Sequence, residues 1–314
     1  MHLLRSVLRL LLGRRLPRTS GACQVAGIRA PVTVRRDRWG IPVIEAESDA
    51  DAWFGLGFCQ GQDRAVQLET LLRLSRGTLA ELVGRPGVPI DRLSRRVGFR
   101  RAADEQLPLL REDHRAILEA FVRGVNAGAT AGLPRRPHEL ALLRRRPTPW
   151  EAADVLGMLK LQSVMIPTNW DAELARLRLL CADGPEAVAA LDPAYPEWHP
   201  VVSPPGAPAG GGRAAERLAE DLARFRAAVP GGGGSNNWVL AGSRTASGRP
   251  LLASDPHLSP LLPPHWYLAH VRTPGWAVCG AAFVGSPTFP VAHNGHAAWG
   301  VTAALTDNTD LFLE

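Results

Sequence analysis

The sequence predicts an α+β fold in which helices come first and strands follow. Three observations point there. Apolar residues between positions 49 and 180 recur at three- and four-residue spacing, the period of a helix with one buried face. Residues 200–212, PVVSPPGAPAGGG, break that pattern with Pro, Gly and Ala. Beyond residue 235, short apolar runs alternate with turn residues, as in a set of strands.

Each element has its own signal. The opening, MHLLRSVLRLLLGRRLPRTSG, has its apolar run interrupted by Arg5 and Arg9. It is too short and too charged to span a bilayer and lacks a clean secretory signal, so residues 1–21 are read as a leader and the compartment stays open. APVTVRRDRWGIPVIEAES (30–48) alternates around Gly40 and Pro42, which predicts two short strands and a turn. From 49 to 76, Ala52, Trp53, Leu56, Phe58 and Cys59, then Val66, Leu68, Leu71 and Leu72, mark one helix face, with Asp49 or Asp51 as the expected cap. A second helix is expected over 112–131. A third is expected to open at Thr148 or Pro149, and the helical pattern continues from Asn169 to Leu180. Residues 22–200 therefore form a mostly helical region. Residues 201–234 read as a spacer containing one short amphipathic helix, 214–229. Residues 235–314 are strand-rich.

Composition narrows the function. Hydrophobic residues make up 46% and charged residues 21%, so a sizeable core is possible. The net charge of +6 is carried by arginines scattered along the chain, with Lys160 the only lysine. Scattered basic residues do not make a nucleic-acid footprint, and no nucleic-acid partner is expected. The four cysteines, at 23, 59, 181 and 279, have neither metal-ligand spacing nor an implied disulfide pairing.

The chemistry-bearing stretch is VPGGGGSNNWVLAG, 229–242. WVLAG and RPLLAS flank the turn-like SRTASG (243–248); a hairpin centred near Ala246 would set Ser235 opposite His257. A serine hydroxyl is a poor nucleophile without a base. Breaking the Gly234–Ser235 bond would make Ser235 an N-terminus, whose α-amine has a pKa of about 7.7–8 and can take the hydroxyl proton. Unbranched glycines leave the preceding carbonyl accessible.

With these residues in hand, GGGGSNNWVLAGSRTASGRPLLASDPHL resembles the start of the β subunit of the penicillin acylase family, the N-terminal-nucleophile amidohydrolases. Residues 32–84, with a D-x-x-G-x-P strand and a Q-D-R helix, resemble the opening of its α subunit. NWDAELARL (169–177) and HNGHAAWGVTAALTDNTDLFLE (293–314) fit as well. The resemblance implies a partial αββα sandwich with a mainly helical α-subunit region. It also implies cleavage between Gly234 and Ser235 into an α/β heterodimer, and hydrolysis of a small-molecule N-acyl amide. The substrate would be a β-lactam side-chain amide or an acyl-homoserine lactone. Ser235 would be nucleophile and, through its amine, base. His257 would orient the amine or the substrate, and the Ala303 backbone N–H would supply one oxyanion-hole donor. Leu258 and Val291 match acyl-pocket positions, where small aliphatic residues suggest an aliphatic acyl chain. Glu173, Asp307, Thr309 (by its carbonyl) and Asp310 match a calcium site, the hard oxygen ligands suiting that cation. No organic cofactor is implied. Val43 departs from the family, many members having His there. Family β subunits run well beyond the equivalent of Glu314 and supply an Asn to the oxyanion hole. The chain is thus expected to be C-terminally truncated, with an inactive remnant or one piece of a split acylase as the alternative.

Overall fold

The computed structural model describes residues 15–165, 169–191, 212–228 and 233–304, together with 6, 7, 10, 13 and 198. Strands β1 (Thr33–Arg36) and β2 (Pro42–Glu45) pair antiparallel, Thr33 opposite Glu45. Asp37 makes the turn between them: its carboxylate accepts the N–H of Trp39 at 2.8 Å and of Ile41 at 2.9 Å, and Gly40 takes φ +80°.

Helix α1 (Asp49–Arg76) follows and ends at Gly77, at φ +65°. Its N-cap is Ser48, whose hydroxyl accepts the Asp51 N–H at 3.2 Å, not Asp49 or Asp51. Asp51 is committed elsewhere: its buried carboxylate accepts the backbone N–H groups of Arg29 (2.9 Å) and Ala30 (3.2 Å) and pins the incoming chain. Short helices α2 (Ala80–Val83), α3 (Val88–Val97) and α4 (Phe99–Gln106) lead to α5 (Glu112–Thr130) and α6 (His138–Leu142).

α1 and α5 cross at backbone contact. A Cβ on Gly57 would lie 2.0 Å from the Phe121 carbonyl oxygen, and one on Gly61 2.2 Å from that of Val125. Conversely, a Cβ on Gly124 or Gly128 would lie 2.0 Å from the carbonyl oxygen of Phe54 or Phe58. Two Gly-x-x-x-Gly pairs face each other, and the flanking Leu56, Cys59, Phe121 and Val125 are fully buried. Burial pushes the Cys59 thiol up to about 12.

The next helix, α7 (Ala152–Met165), starts later than Thr148 or Pro149. Buried Glu69 claims Thr148, accepting its N–H at 2.7 Å and its hydroxyl at 2.8 Å. Asn126 claims the backbone of Trp150, donating to its carbonyl at 3.0 Å and accepting its N–H at 2.8 Å. Asp154, fully buried, then accepts the Glu151 N–H at 2.6 Å and pairs bidentately with Arg76. Helices α8 (Trp170–Asp183), α9 (Pro185–Leu191) and α10 (Gly212–Ala228) complete the helical part. No helix among the described residues is long and apolar enough to cross a membrane.

The strand-rich part adds β3 (Gly234–Leu240), β4 (Leu251–His257), β5 (Trp266–Arg272), β6 (Ala277–Phe283), β7 (Val291–His293) and β8 (Ala298–Trp299). β3 and β4 form their own antiparallel pair; the others join the first two strands in one sheet ordered β1-β2-β5-β6-β7-β8. The β2–β5 pair is parallel, Val43 opposite His270, so residues about 230 apart in sequence share a ladder. α1 packs on this sheet. Gln60 accepts the Gly285 N–H at 2.8 Å and donates to the Phe283 carbonyl at 3.3 Å, Trp53 stacks on Trp276 at 5.2 Å, and the Tyr267 hydroxyl donates to Asp63 at 2.6 Å. Mixed helix and sheet, with the helices leading, is the class the sequence predicted.

Two outcomes are expected from this packing. Gly124→Ala must open the α1–α5 crossing; overpacking costs about 1–3 kcal/mol, against about 1 kcal/mol gained from helix propensity. A net loss near 2 kcal/mol in denaturant unfolding is expected at the upper end of that range. Separately, burial holds the pKa of His265 below its ordinary value. A depressed folded pKa means the unfolded chain binds the proton more readily. The contribution of His265 is therefore complete above about pH 6.5 and is lost as pH falls below it. His265→Gln should flatten the fall in melting temperature between pH 7.5 and 5.5.

Candidate functional site

Ser235 is the second residue of β3. Its Oγ lies 2.5 Å from Thr302 Oγ1 and accepts the backbone N–H of Ala303 at 3.2 Å. Thr302 Oγ1 in turn donates to the Ser235 carbonyl at 3.2 Å. One consistent proton arrangement follows: Ala303 N–H donates to Ser235 Oγ, Ser235 O–H to Thr302, and Thr302 O–H back to the Ser235 carbonyl. The serine is held on both its side chain and its main chain by one short segment.

That segment, residues 300–303, comes off β8 and runs beside the β3–β4 pair. Gly300 permits the approach, because a Cβ there would fall 2.5 Å from the Ser254 side chain and 3.1 Å from Asn237 Oδ1. Ser254 Oγ is buried there without a hydrogen-bond partner among the described residues.

The hairpin register differs from the expected one by a residue. Ser235 faces Pro256, and it is Gly234 that faces His257. The reason is the length of the connection: residues 241–250 form an even-numbered loop, with a 3₁₀ turn at Gly242–Arg244 and a reversal at Gly248, φ +69°, so the pair is centred between residues 245 and 246. A shift of one residue exchanges the residue across the pair. The imidazole consequently lies over the glycine: His257 Nδ1 is 3.7 Å from where a Gly234 Cβ would be. His257 Nε2 meets Asp255 Oδ2 at 3.0 Å, and the Gly233 N–H donates to the His257 carbonyl at 3.0 Å.

Beside Pro256 opens a cavity of about 530 Å³, walled by Trp39, Pro42, Trp266, Tyr267 and Val291, with Arg64 at one side. Val291 is in this wall; Leu258 is not among the lining residues and instead donates its N–H to the Pro256 carbonyl at 2.9 Å. The floor is electrostatically settled. Asp63 takes both Arg36 (2.8 Å) and the Tyr267 hydroxyl (2.6 Å). Burial works against the charge of Arg36, and Asp63 more than restores it, leaving its pKa raised. Burial chiefly pushes the Tyr267 phenol well above its ordinary value, so it stays protonated. Burial also lowers the Arg64 pKa.

Of the four residues expected to hold calcium, Asp307, Thr309 and Asp310 lie outside the described residues. Glu173, on α8, accepts from Arg176 at 2.5 Å. Among the described residues no three acidic, His or Cys side chains gather as a metal site. A carboxylate already committed to a guanidinium gives no support for a cation at Glu173.

Residues 31–314 match the family described as penicillin amidase. The chain belongs to the penicillin amidase family. It is 37% identical over 315 residues to the penicillin acylase 2 proenzyme of Pseudomonas sp. strain SE83, covering 95% of this chain and 39% of that protein. It is 34% identical to the acyl-homoserine lactone acylase QuiP of Pseudomonas aeruginosa, covering 95% of this chain and 36% of QuiP. With the penicillin G acylase of Escherichia coli the identity is 23%. Among solved structures, the thermostable penicillin G acylase from Alcaligenes faecalis aligns with 57% of this chain and 98% of its own chain, at 25% identity and a TM-score of 0.42. The chain thus spans less than two-fifths of the first two relatives' length.

Three residues at this candidate site escaped the sequence reading: Thr302, Trp39 and Trp266. Thr302 precedes the expected Ala303, and that adjacency was the available signal. Gly300→Ala should push residues 300–303 off the hairpin. The Ala303 amide would then exchange with solvent about tenfold faster or more, read by hydrogen exchange.

Proposed function

We propose that this chain belongs to an autoproteolytically activated amidohydrolase that cleaves linear N-acyl amides through Ser235. The observation that carries the reading is the grip on one hydroxyl. Ser235 Oγ is held by Thr302 and the Ala303 N–H, directly after a glycine, and its partner across the strand pair, Pro256, lines an apolar cavity. Membership of the penicillin amidase family supports the acyl-amide chemistry.

In the first stage Ser235 Oγ attacks the Gly234 carbonyl carbon. The C–N bond to Ser235 breaks, the hydroxyl proton goes to the departing nitrogen, and an ester joins Gly234 to Ser235 Oγ. Water then hydrolyses that ester, leaving a Gly234 carboxylate and a Ser235 with free amine and hydroxyl. The Thr302 hydroxyl gives the proton a path away from Oγ, and His257 sits beside the glycine under attack.

In the second stage the freed α-amine takes the Ser235 proton as Oγ attacks the substrate amide. An acyl-enzyme forms, the amine product leaves, and water releases the acid. Ala303 N–H, which bonds the resting hydroxyl, donates to the developing oxyanion; one such donor is typically worth about 2.7–4 kcal/mol. The acyl group lies in the cavity against Val291, Trp39 and Trp266. β-Lactam side-chain amides and acyl-homoserine lactones both offer an apolar acyl chain on a linear amide.

Mass spectrometry of the purified chain tests the first stage. A fragment beginning at Ser235 is expected, absent in Ser235→Ala and formed about tenfold more slowly in Thr302→Val, which deletes the Oγ partner and keeps the shape. A fragment beginning at 235 in the Ser235→Ala chain would remove the proposal.

A further inference from the structure

The region between the helical body and β3 reads as a spacer, yet part of it is built into the body. α10 (Gly212–Ala228) packs against α3 and α8. Ala215, Leu222 and Phe225 are buried, Phe225 to 2% exposure. Between them Asp221 is fully buried, and its carboxylate accepts from Arg92 Nε at 2.7 Å, from Arg92 Nη2, and from Arg96 Nη1 at 3.2 Å. Both arginines lie on α3. Two further pairs flank this contact: Arg178 of α8 reaches Glu216 at 2.8 Å, and Arg226 pairs with Asp171 of α8. A buried carboxylate needs such partners to be tolerated, and an aromatic anchor beside it fixes the depth of docking. A spacer with no structural task needs neither.

The position of this helix relative to the reactive bond gives it a task. Only Val229, Pro230, Gly231 and Gly232 separate Ala228 from Gly233. Five Cα-to-Cα steps reach at most about 18 Å, so a docked α10 confines the amino side of the Gly234–Ser235 bond. The carboxyl side is confined independently, by Thr302 and Ala303 on Ser235. Oγ attack on the preceding carbonyl requires both sides to be held, because each reacting atom belongs to a different side of the bond. The Gly233 N–H to His257 carbonyl bond is the last hold on the amino side before this tether. Without the docked helix, nothing described upstream stops that end of β3 from fraying.

We infer that α10 is an anchor helix for self-cleavage: the Asp221–Arg92–Arg96 cluster and Phe225 dock it on the helical body, and the docked helix positions the Gly234 carbonyl against Ser235. Asp221 is a positioning residue and touches no reacting atom. The inference rests on the self-cleavage proposed above and extends it to the control of its rate.

The experiment follows the appearance of the fragment beginning at Ser235 in four full-length chains: wild type, Asp221→Asn, Asp221→Glu, and one with ten Gly/Ser residues inserted between Gly231 and Gly232. Asp221→Asn is expected to cleave about tenfold more slowly, with Asp221→Glu recovering part of the rate. The insertion leaves every contact of α10 in place and only slackens the tether, so it should also slow cleavage. It should do so while keeping the wild-type melting temperature and the hydrogen-exchange protection of residues 212–228. A merely structural helix would move the melting temperature and not respond to tether length. If wild type cleaves and the insertion chain cleaves equally fast, the anchor is overturned while the self-cleavage reading stands. If wild type stays whole, the self-cleavage reading falls and the anchor with it.

Discussion

The backbone contact between α1 and α5 sets the depth of everything built on it. Four glycines let the two helices approach until carbonyl oxygens fill the space a Cβ would need. α1 is thereby fixed on one side and free to present its other side to the sheet. There Gln60 holds the Phe283–Gly285 corner, Asp63 holds Arg36 and Tyr267, and Arg64 reaches the cavity. A displacement of α1 would move both the cavity wall and the strands that lead to residues 300–303. The grip on Ser235 therefore depends on helix packing that never touches it.

The site divides its labour by location. Among the described residues, a neutral hydroxyl and a backbone amide make the hydrogen bonds to Ser235 Oγ. Other polar pairs lie at a remove. Arg36 and Asp63 cancel one another under the cavity floor, and Asp255 and His257 meet on the strand that pairs with β3.

The long helices over 49–76, 112–130 and 170–183 and the strands after residue 234 were legible in the sequence because periodicity reports which face is buried; the short helices between 80 and 106 and the order of strands within the sheet were not. The cap of α1 was misassigned because Asp49, Asp51 and Ser48 are all competent cap residues. Only the incoming chain, whose amides at 29 and 30 need Asp51, decides among them. The start of α7 was likewise set by distant partners, Glu69 and Asn126, that no local window contains. Ser235, His257 and Ala303 were reached through motifs, and the structure places them along one hairpin and the segment beside it. The register was off by one because loop length cannot be read from a turn-like composition. Thr302 carries no signal of its own; a threonine between Val301 and Ala303 reads as strand filler until the fold turns it toward Oγ. The facing Gly-x-x-x-Gly pairs were visible as spacings, but their meaning required knowing that the two helices meet.

The parallel pairing of β2 with β5 joins a strand from the first fifty residues to one beyond residue 265. A chain severed at residue 234 would still be stitched across that seam, its two pieces sharing one hydrogen-bonded ladder and one apolar interior. The pieces would separate only on unfolding. Restoring them would then be a second-order encounter between two molecules, where the intact chain had merely to close a loop. For such a severed chain, folding before scission would be a one-way sequence, and dilution would work against recovery in a way it never did for the unbroken polypeptide.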